Sequence, residues 1–361
     1  MRREWPLLVS VATTALFLVF GKGWLADLSG TAWFGCMLGW LFGAVMVSAF
    51  AVVRHAEGLA ERLGEPYGTL VLTLSMSGME MMMIAAVMLT GQGETSLGRD
   101  TMMAIVMIVL NGLVGICLLL GGIKYHEQTY NLYGANAFLA VIVPLAVLGL
   151  VLPNYTVSTS GPTLSLLQAT FLIVMSIGLY GVFLAMQTSR HKEYFVSPNS
   201  SLDAANEHGE VRSIRYHGLL LMAYAVPIVL LAKQIAIPID YGIGVLGAPA
   251  ALGGLIVAVL ILSPESLAAI RAARANKLQR SINLALGTAL SSISLTIPAV
   301  LTIGLLTDRT IILGLDAANA VLLCLTLIVN MLTFALSRTN MLLGAVHLLL
   351  FVAYLMLIFD R

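Results

Sequence analysis

The sequence predicts an all-α polytopic membrane protein with about 11 transmembrane helices, one extra N-terminal helix followed by two inverted five-helix repeats. Three observations lead to this fold class. Of the 361 residues, 59% are hydrophobic and only 10% are charged, whereas soluble proteins carry about 25% charged residues. Apolar runs long enough to cross the hydrocarbon as a helix, roughly 20 residues, recur along the whole chain. The longest polar stretch separates five of these runs from five others.

The apolar runs define the predicted spans. The run at 310–335 contains Asp316, and we expect this charge to interrupt the span. Charged residues at helical spacing in 54–66 predict a separate interfacial helix after the second span. The spans lie at 6–22, 30–53, 68–90, 101–122, 137–152, 164–187, 217–238, 248–270, 282–305, 310–335 and 341–359.

The order of the apolar runs predicts how the chain divides into an N-terminal helix, two repeats and a linker. A basic start and an apolar stretch without a small-residue cleavage site predict a retained first helix rather than a signal peptide. An odd number of spans in each half gives the halves opposite orientations, which is the layout of an inverted repeat. The predicted divisions are an N-terminal helix (1–29), a first five-helix repeat (30–187) with a first glutamate segment (68–122), a mobile cytoplasmic linker (188–216), and a second five-helix repeat (217–361) with a second glutamate segment (248–305).

Charge and motifs restrict orientation and function class. With the N-terminus in the cytoplasm and the C-terminus outside, most of the 19 basic residues fall in cytoplasmic loops, as expected for a bacterial inner-membrane protein. The 3 cysteines lie far apart in apolar runs, which argues against a disulfide framework or a zinc site. No phosphate-binding loop or hydrolase motif is present, so we predict a transporter without a cofactor, not an enzyme or a nucleic-acid-binding protein. Its partners are cations, protons and the lipid bilayer, and its oligomeric state is left open.

Two glutamates, Glu80 and Glu265, carry the functional prediction because each lies inside an apolar run. A charged group at the centre of a membrane helix costs roughly 2.5–3.5 kcal/mol on insertion scales. Each glutamate lies in the second span of its half, and each follows a glycine, Gly68 or Gly253, by the same offset. A structural ion pair is the alternative, but Lys233 is the only basic residue inside a span and could neutralise only one glutamate.

Inverted halves bring equivalent helices together near the bilayer midplane. Two carboxylates meeting there must hold protons or share a cation, so protons and cations compete for the site. Neighbouring hydroxyl and amide oxygens would suit hard cations such as Ca²⁺, Na⁺ and K⁺.

We expect Pro264 to disrupt a helical turn before Glu265 and free backbone carbonyls. His347 is expected to be a packing or interhelical hydrogen-bond residue rather than a ligand. The residues expected to supply the supporting hydroxyl and amide oxygens around the two glutamates are Ser77, Asn111, Ser263, Thr288, Ser291 and Ser292.

Four stretches carry a resemblance to a known family over most of the chain. With two glutamates on paired segments, the chain resembles the cation/calcium antiporter superfamily, and within it the ChaA-type bacterial calcium/proton antiporters. The stretches are VVRHAEGLAERLGEPYGTLVL, RDTMMAIVMIVLNGLVGICLLLGG, LILSPESLAAIRAARANKLQRSINLALG and SLTIPAV.

The resemblance implies a midplane site in which Glu80 and Glu265 bind the cation and carry protons. It also implies alternating access through movement of the first span of each half, 30–53 and 217–238. Asn111 falls where many members have an asparagine. Many vacuolar and bacillar members have an amide three residues before each glutamate, where this chain has Ser77 and Leu262.

The predicted function is a secondary antiporter that exports Ca²⁺, and also Na⁺ or K⁺, in exchange for protons. The main alternative is a Na⁺- or K⁺-coupled cation exchanger without proton coupling. A membrane enzyme with a carboxylate dyad and a passive channel are further alternatives, because either could also place carboxylates at membrane depth.

Overall fold

The computed structural model describes residues 4–64, 67–90, 96–159, 161–195 and 213–360, which are almost entirely helical. Two short strands, β1 (Gln128–Thr129) and β2 (Arg338–Thr339), pair antiparallel, with Gln128 opposite Thr339. The α-helices are α1 (Trp5–Trp24), α2 (Thr31–Leu63), α3 (Tyr67–Thr90), α4 (Leu97–Met107), α5 (Val114–Tyr125), α6 (Leu132–Ala146), α7 (Leu166–Ala185), α8 (Ile214–Gly244), α9 (Ala250–Arg274), α10 (Leu278–Thr307), α11 (Ala317–Thr333) and α12 (Met341–Phe359). Short π- and 3-10-helical turns extend several of them: Ile108–Leu113, Val147–Val151, Leu152–Asn154, Met186–Arg190 and Lys192–Phe195.

The helix count confirms the predicted fold class. Within the described residues, 10 helical segments are long and apolar enough to cross a membrane. One of them, Leu97–Tyr125, joins α4 and α5 through the π-helical turn. The apolar helix α11 is shorter, with 17 residues, and completes the set of about eleven predicted spans. The protein is a multi-pass membrane protein.

The predicted span at 310–335 is wrong at its start, because Asp316 begins the helix instead of interrupting it. Asp316 has extended backbone geometry, and its carboxylate accepts a hydrogen bond from the Asn319 backbone N–H at 3.1 Å. A side-chain oxygen at this position satisfies one of the N–H groups that the first helical turn leaves unpaired. The residues just before it, 309–315, are non-helical.

The separate interfacial helix predicted at 54–66 is also wrong. Residues 54–63 continue α2, which has 33 residues and ends before Gly64. The helix stops where Gly64 has φ 66°, a left-handed geometry that favours glycine. A helix of this length extends about 50 Å, more than the roughly 30 Å hydrocarbon core. Its charged C-terminal turns therefore reach beyond the apolar span.

The disruption expected at Pro264 does not break the helix, since α9 is helical on both sides of it, and the freeing of backbone carbonyls stays a prediction. Proline removes one N–H donor but is tolerated in membrane helices when neighbouring groups compensate. Part of the predicted linker, residues 196–212, lies outside the described residues, and its mobility stays a prediction.

The chain forms two compact units, and each takes segments from both halves of the sequence. The first unit comprises Met1–Leu97 and Glu210–Pro264, and the second comprises Gly98–Gly209 and Glu265–Arg361. In the first unit α2 packs on α1, α3 and α8. In the second, α12 packs on α5, and α10 packs on α6 and α7. The inverted relation between the two predicted repeats stays a prediction.

Glu4, the residue before α1, joins three helices of the first unit. Its carboxylate accepts hydrogen bonds from Arg54 at 2.7 Å, Tyr216 at 2.9 Å and Tyr224 at 3.1 Å. The Nε2 atom of His55 lies 3.3 Å from the same carboxylate. Arg54 and His55 belong to α2, and the two tyrosines belong to α8. A single carboxylate therefore connects the start of α1 to both helices.

This arrangement predicts a pH-dependent stability. Partial burial opposes ionisation, but the hydrogen bond from Tyr216 and the charge of Arg54 outweigh it and hold the pKa of Glu4 below its ordinary 4.5. Because the pKa is lower in the folded state, ionised Glu4 stabilises the first unit above pH 4.5, and this contribution is lost as the pH falls through the folded-state pKa. We expect Glu4→Gln to lower the thermal unfolding temperature in detergent at pH 7, and the difference to shrink below pH 4.5.

The matched control is Glu127→Gln, because Glu127 pairs with Arg338 in an ion pair whose side chains are 59% and 70% exposed. Such exposed pairs contribute little, so this variant should unfold like the unmodified protein. An equal loss in both variants would contradict the role assigned to Glu4.

Candidate functional site

Glu80 is buried in the middle of α3, in the first unit. The residue is only 3% exposed. Apolar side chains surround it along the helix, and Met79, Met83 and Ile84 are at most 2% exposed. Burial among apolar groups penalises an ionised carboxylate that nothing compensates. The predicted glutamate is therefore buried as expected, and its binding of a cation or proton stays a prediction.

Ser77 lies one turn before Glu80 and is 2% exposed. Within the part of the chain that the structure describes, its Oγ has no hydrogen-bond partner. Residues three apart share a helix face, and buried hydroxyls normally have a partner. Ser77 thus offers a neutral oxygen that α3 does not itself use.

Glu265 lies on α9, in the second unit, where the Thr288 hydroxyl of α10 donates a hydrogen bond to its carboxylate. Ser291, one turn later on α10, donates to the Thr288 backbone carbonyl at 3.1 Å. Ser291 and Ser292 are 5% and 2% exposed. The structure therefore brings three of the predicted supporting residues, Thr288, Ser291 and Ser292, onto the helix that contacts Glu265.

Ser263 is used differently from the residues of α10. Its hydroxyl donates to the backbone carbonyl of Val259, one turn earlier in the same helix. Such local bonds are common for serine inside helices. Its hydroxyl hydrogen is thus engaged in its own helix, although the oxygen keeps lone pairs that could accept a bond or bind a cation.

Asn111 lies in the π-helical turn Ile108–Leu113 of the second unit and is fully buried. Its Nδ2 donates to the Thr326 hydroxyl of α11 at 2.8 Å. Its Oδ1 lies 3.1 Å from Nδ1 of His347 on α12. The other ring nitrogen of His347 lies 2.9 Å from the Thr333 hydroxyl. We call these four residues the Asn111 network, and they confirm that His347 makes interhelical hydrogen bonds.

Sequence reasoning missed three polar residues of α11, two of which belong to the Asn111 network. Thr326, Asn330 and Thr333 are each fully buried. Asn330 donates to the Thr326 carbonyl at 2.8 Å and to the Leu110 carbonyl at 3.4 Å. The three polar residues recur four and three positions apart, the spacing of one helix face. This periodicity, in an otherwise apolar helix, was the signal that could have identified them.

The chemistry of the site rests on few charges. Within the ranges that the structure describes, no group of three or more His, Cys, Asp or Glu residues could hold a metal ion. The structure describes Glu80 and Glu265 each within its own unit, and their joint site stays a prediction.

Comparison with known proteins provides independent information on the family. The family described as sodium/calcium exchanger protein matches residues 33–189 and 217–359. The chain is 41% identical over 319 residues to the sodium-potassium/proton antiporter ChaA of Escherichia coli strain K12, covering 87% of this chain and 86% of ChaA. It is 41% identical over 320 residues to the y4hA protein of Sinorhizobium fredii strain NBRC 101917 / NGR234, covering 88% of this chain and 86% of that protein.

Solved structures share the fold. Native YfkE superposes with a TM-score of 0.75 at 17% identity, covering 99% of this chain and 100% of YfkE. The H⁺/Ca²⁺ exchanger CAX superposes with a TM-score of 0.67 at 14% identity, covering 99% of this chain and 89% of CAX. The helix arrangement described above is thus found in proteins of low sequence identity.

Proposed function

The chain belongs to the sodium/calcium exchanger protein family, whose members are transporters, and on this premise we propose that it is a secondary cation/proton antiporter. It exports Ca²⁺, and also Na⁺ or K⁺, in exchange for protons that move inward. Glu80 and Glu265 bind the cation when ionised and release it when protonated. Access to this site alternates between the two sides of the membrane.

The observation that carries the proposal is the burial of Glu80, 3% exposed in an apolar transmembrane helix. A buried carboxylate can be neutralised by a proton or by a cation. The same group therefore binds either a proton or a cation, and competition between them is the basis of exchange. Glu265 adds a second carboxylate, held by the Thr288 hydroxyl.

Neutral oxygens would complete the coordination of the cation. We propose Ser77, Asn111, Ser263, Thr288, Ser291 and Ser292 as this supporting set. Hydroxyl and amide oxygens suit hard cations. Similar proteins support several cargoes, since ChaA is a sodium-potassium/proton antiporter and YfkE is a Ca²⁺/H⁺ antiporter.

A cation exchanger without proton coupling is the second candidate. It is supported by the fold shared with the sodium-calcium exchanger NCX_Mj, which superposes with a TM-score of 0.55. We favour proton coupling because the 41% identity to a proton antiporter extends over 87% of the chain. We further propose a bacterial inner-membrane location with the N-terminus in the cytoplasm, from the distribution of basic residues.

Everted membrane vesicles with an imposed proton gradient test the proposal. The gradient is followed by quenching of a pH-sensitive dye, and CaCl₂, NaCl and KCl are added separately. Addition of a transported cation is expected to dissipate the gradient and restore fluorescence. Vesicles without the protein provide the background, and a protonophore defines full dissipation. A response that requires a Na⁺ or K⁺ gradient and never moves protons would support the second candidate instead.

Thr288 provides a more specific prediction. Thr288→Val removes the hydroxyl that donates to Glu265 but keeps nearly the same shape. We expect the half-saturating cation concentration to rise by about 10–100-fold, because loss of a hydrogen bond to a charged group costs about 1.5–3 kcal/mol. Thr288→Ser keeps the hydroxyl and should remain near the unmodified value in the same vesicle assay. Equal behaviour of the two variants would argue against a role for the hydroxyl.

A further inference from the structure

The Asn111 network holds an amide in one orientation inside the second unit. Oδ1 faces His347, and Nδ2 faces Thr326. An amide oxygen only accepts hydrogen bonds, so Nδ1 of His347 carries the hydrogen and donates it. On the other side of the ring, Nε2 can accept the hydrogen of the Thr333 hydroxyl. Every bond of the network is thus satisfied with a neutral imidazole.

The position of Asn111 in the backbone is unusual. Single π-helical turns are rare and occur frequently at functional sites. Asparagine inside a helix commonly bonds to its own backbone. Here its side chain instead bonds to residues of α11 and α12. Two neighbouring helices therefore determine the direction of this amide.

An amide oxygen has two lone pairs, and His347 occupies only one of them. The second lone pair remains for a cation. Groups that donate hydrogen bonds to a ligand atom fix its orientation, and at metal sites their loss typically weakens binding about 10–100-fold. Without the His347 donor, the contacts of Nδ2 with Thr326 and Met107 alone would hold the carboxamide, and a rotated amide would present its NH₂ group, which repels cations.

We propose that His347 is a positioning residue for the transported cation, acting through its Nδ1–H on the carbonyl oxygen of Asn111. This inference rests on the proposed function, in which Asn111 supplies a neutral ligand. It assigns to α12 a role in cation affinity that involves neither of the two glutamates. His347 itself touches no cation and transfers no proton in this role.

Two substitutions separate the ring nitrogens. In His347→Asn the side-chain NH₂ takes the place of Nδ1 and can still donate to Asn111. In His347→Gln the amide nitrogen reaches the place of Nε2, next to Thr333, and leaves Oδ1 of Asn111 without its donor. His347→Ala removes both bonds. Thr333→Val removes only the bond to Nε2 and is the control.

The measurement is the proton-gradient assay in vesicles, titrated separately with CaCl₂, NaCl and KCl. His347→Gln and His347→Ala should raise the half-saturating concentration of a transported cation by about 10–100-fold, with maximal rates within about twofold of the unmodified protein. His347→Asn and Thr333→Val should stay within about threefold of it.

The inference is overturned if His347→Asn and His347→Gln have equal half-saturating concentrations, or if Thr333→Val weakens binding as much as His347→Gln. Because both amide variants keep a polar group in the network, their comparison is decisive even if His347→Ala does not fold. The proposed function is judged separately by Glu265→Gln. If that variant is inactive while the His347 variants behave alike, only the positioning role fails.

Discussion

Replacing either Glu80 or Glu265 with Gln is expected to abolish proton-coupled cation exchange. Glutamine has nearly the same shape but can neither bind a proton nor offset the charge of a cation. Removing one partner of a buried charge interaction costs about 3–5 kcal/mol, which corresponds to a loss of roughly 10²–10⁴ in affinity or rate. In everted vesicles, neither CaCl₂, NaCl nor KCl should dissipate the proton gradient above the background of protein-free vesicles.

The control for this prediction is Glu61→Gln, which makes the same chemical change at an exposed position near the end of α2. Its exchange activity should match that of the unmodified protein. Retained exchange in both Glu80→Gln and Glu265→Gln would exclude the two-glutamate mechanism. Loss in only one variant would reduce the site to a single essential carboxylate.

The spans were predictable because membrane helices are constrained more strongly than soluble ones. Every backbone polar group in the hydrocarbon must be satisfied within its own helix, so apolar length alone identified the spans. Helix ends were less predictable, since they depend on individual side chains. Asp316 looked like a charge inside a span but caps α11 instead. Charges at 54–63 looked like the start of a new element but extend α2.

The site was predictable where a residue is chemically unusual for its surroundings. Glu80 and Glu265 were identified because an ionisable group at membrane depth is costly. The partners of Asn111 were not identified, because threonine and asparagine are common in membrane helices and only their spacing distinguishes them. The π-helical turn around Asn111 has no clear sequence signal. The bonds of Asn111 to α11 and α12 are tertiary contacts, which the local sequence does not indicate.

Three glycines allow the backbones of α5 and α12 to touch within the second unit. A Cβ added at Gly344 would lie 2.5 Å from the backbone N of Leu119 and 2.9 Å from the carbonyl oxygen of Gly115. One added at Gly122 would lie 2.6 Å from the backbone N of Met341. Small residues at helix contacts are the main means of close packing in membranes, where apolar burial gives no driving force between helices. Because these neighbours are backbone atoms, they cannot rotate away.

We therefore expect Gly344→Ala to destabilise the protein by about 1–3 kcal/mol, the usual cost of overpacking a close contact. The methyl group must push α12 away from α5, and His347, one turn later, would move away from Asn111 with it. The measurement is thermal unfolding in detergent, with cation half-saturation measured in parallel. Gly181→Ala is the matched control, because a Cβ at Gly181 on α7 has no neighbour within 4 Å. That variant should be as stable as the unmodified protein or slightly more so, since alanine favours helix. If both alanine variants unfold at the same temperature, the close contact between α5 and α12 does not contribute to stability.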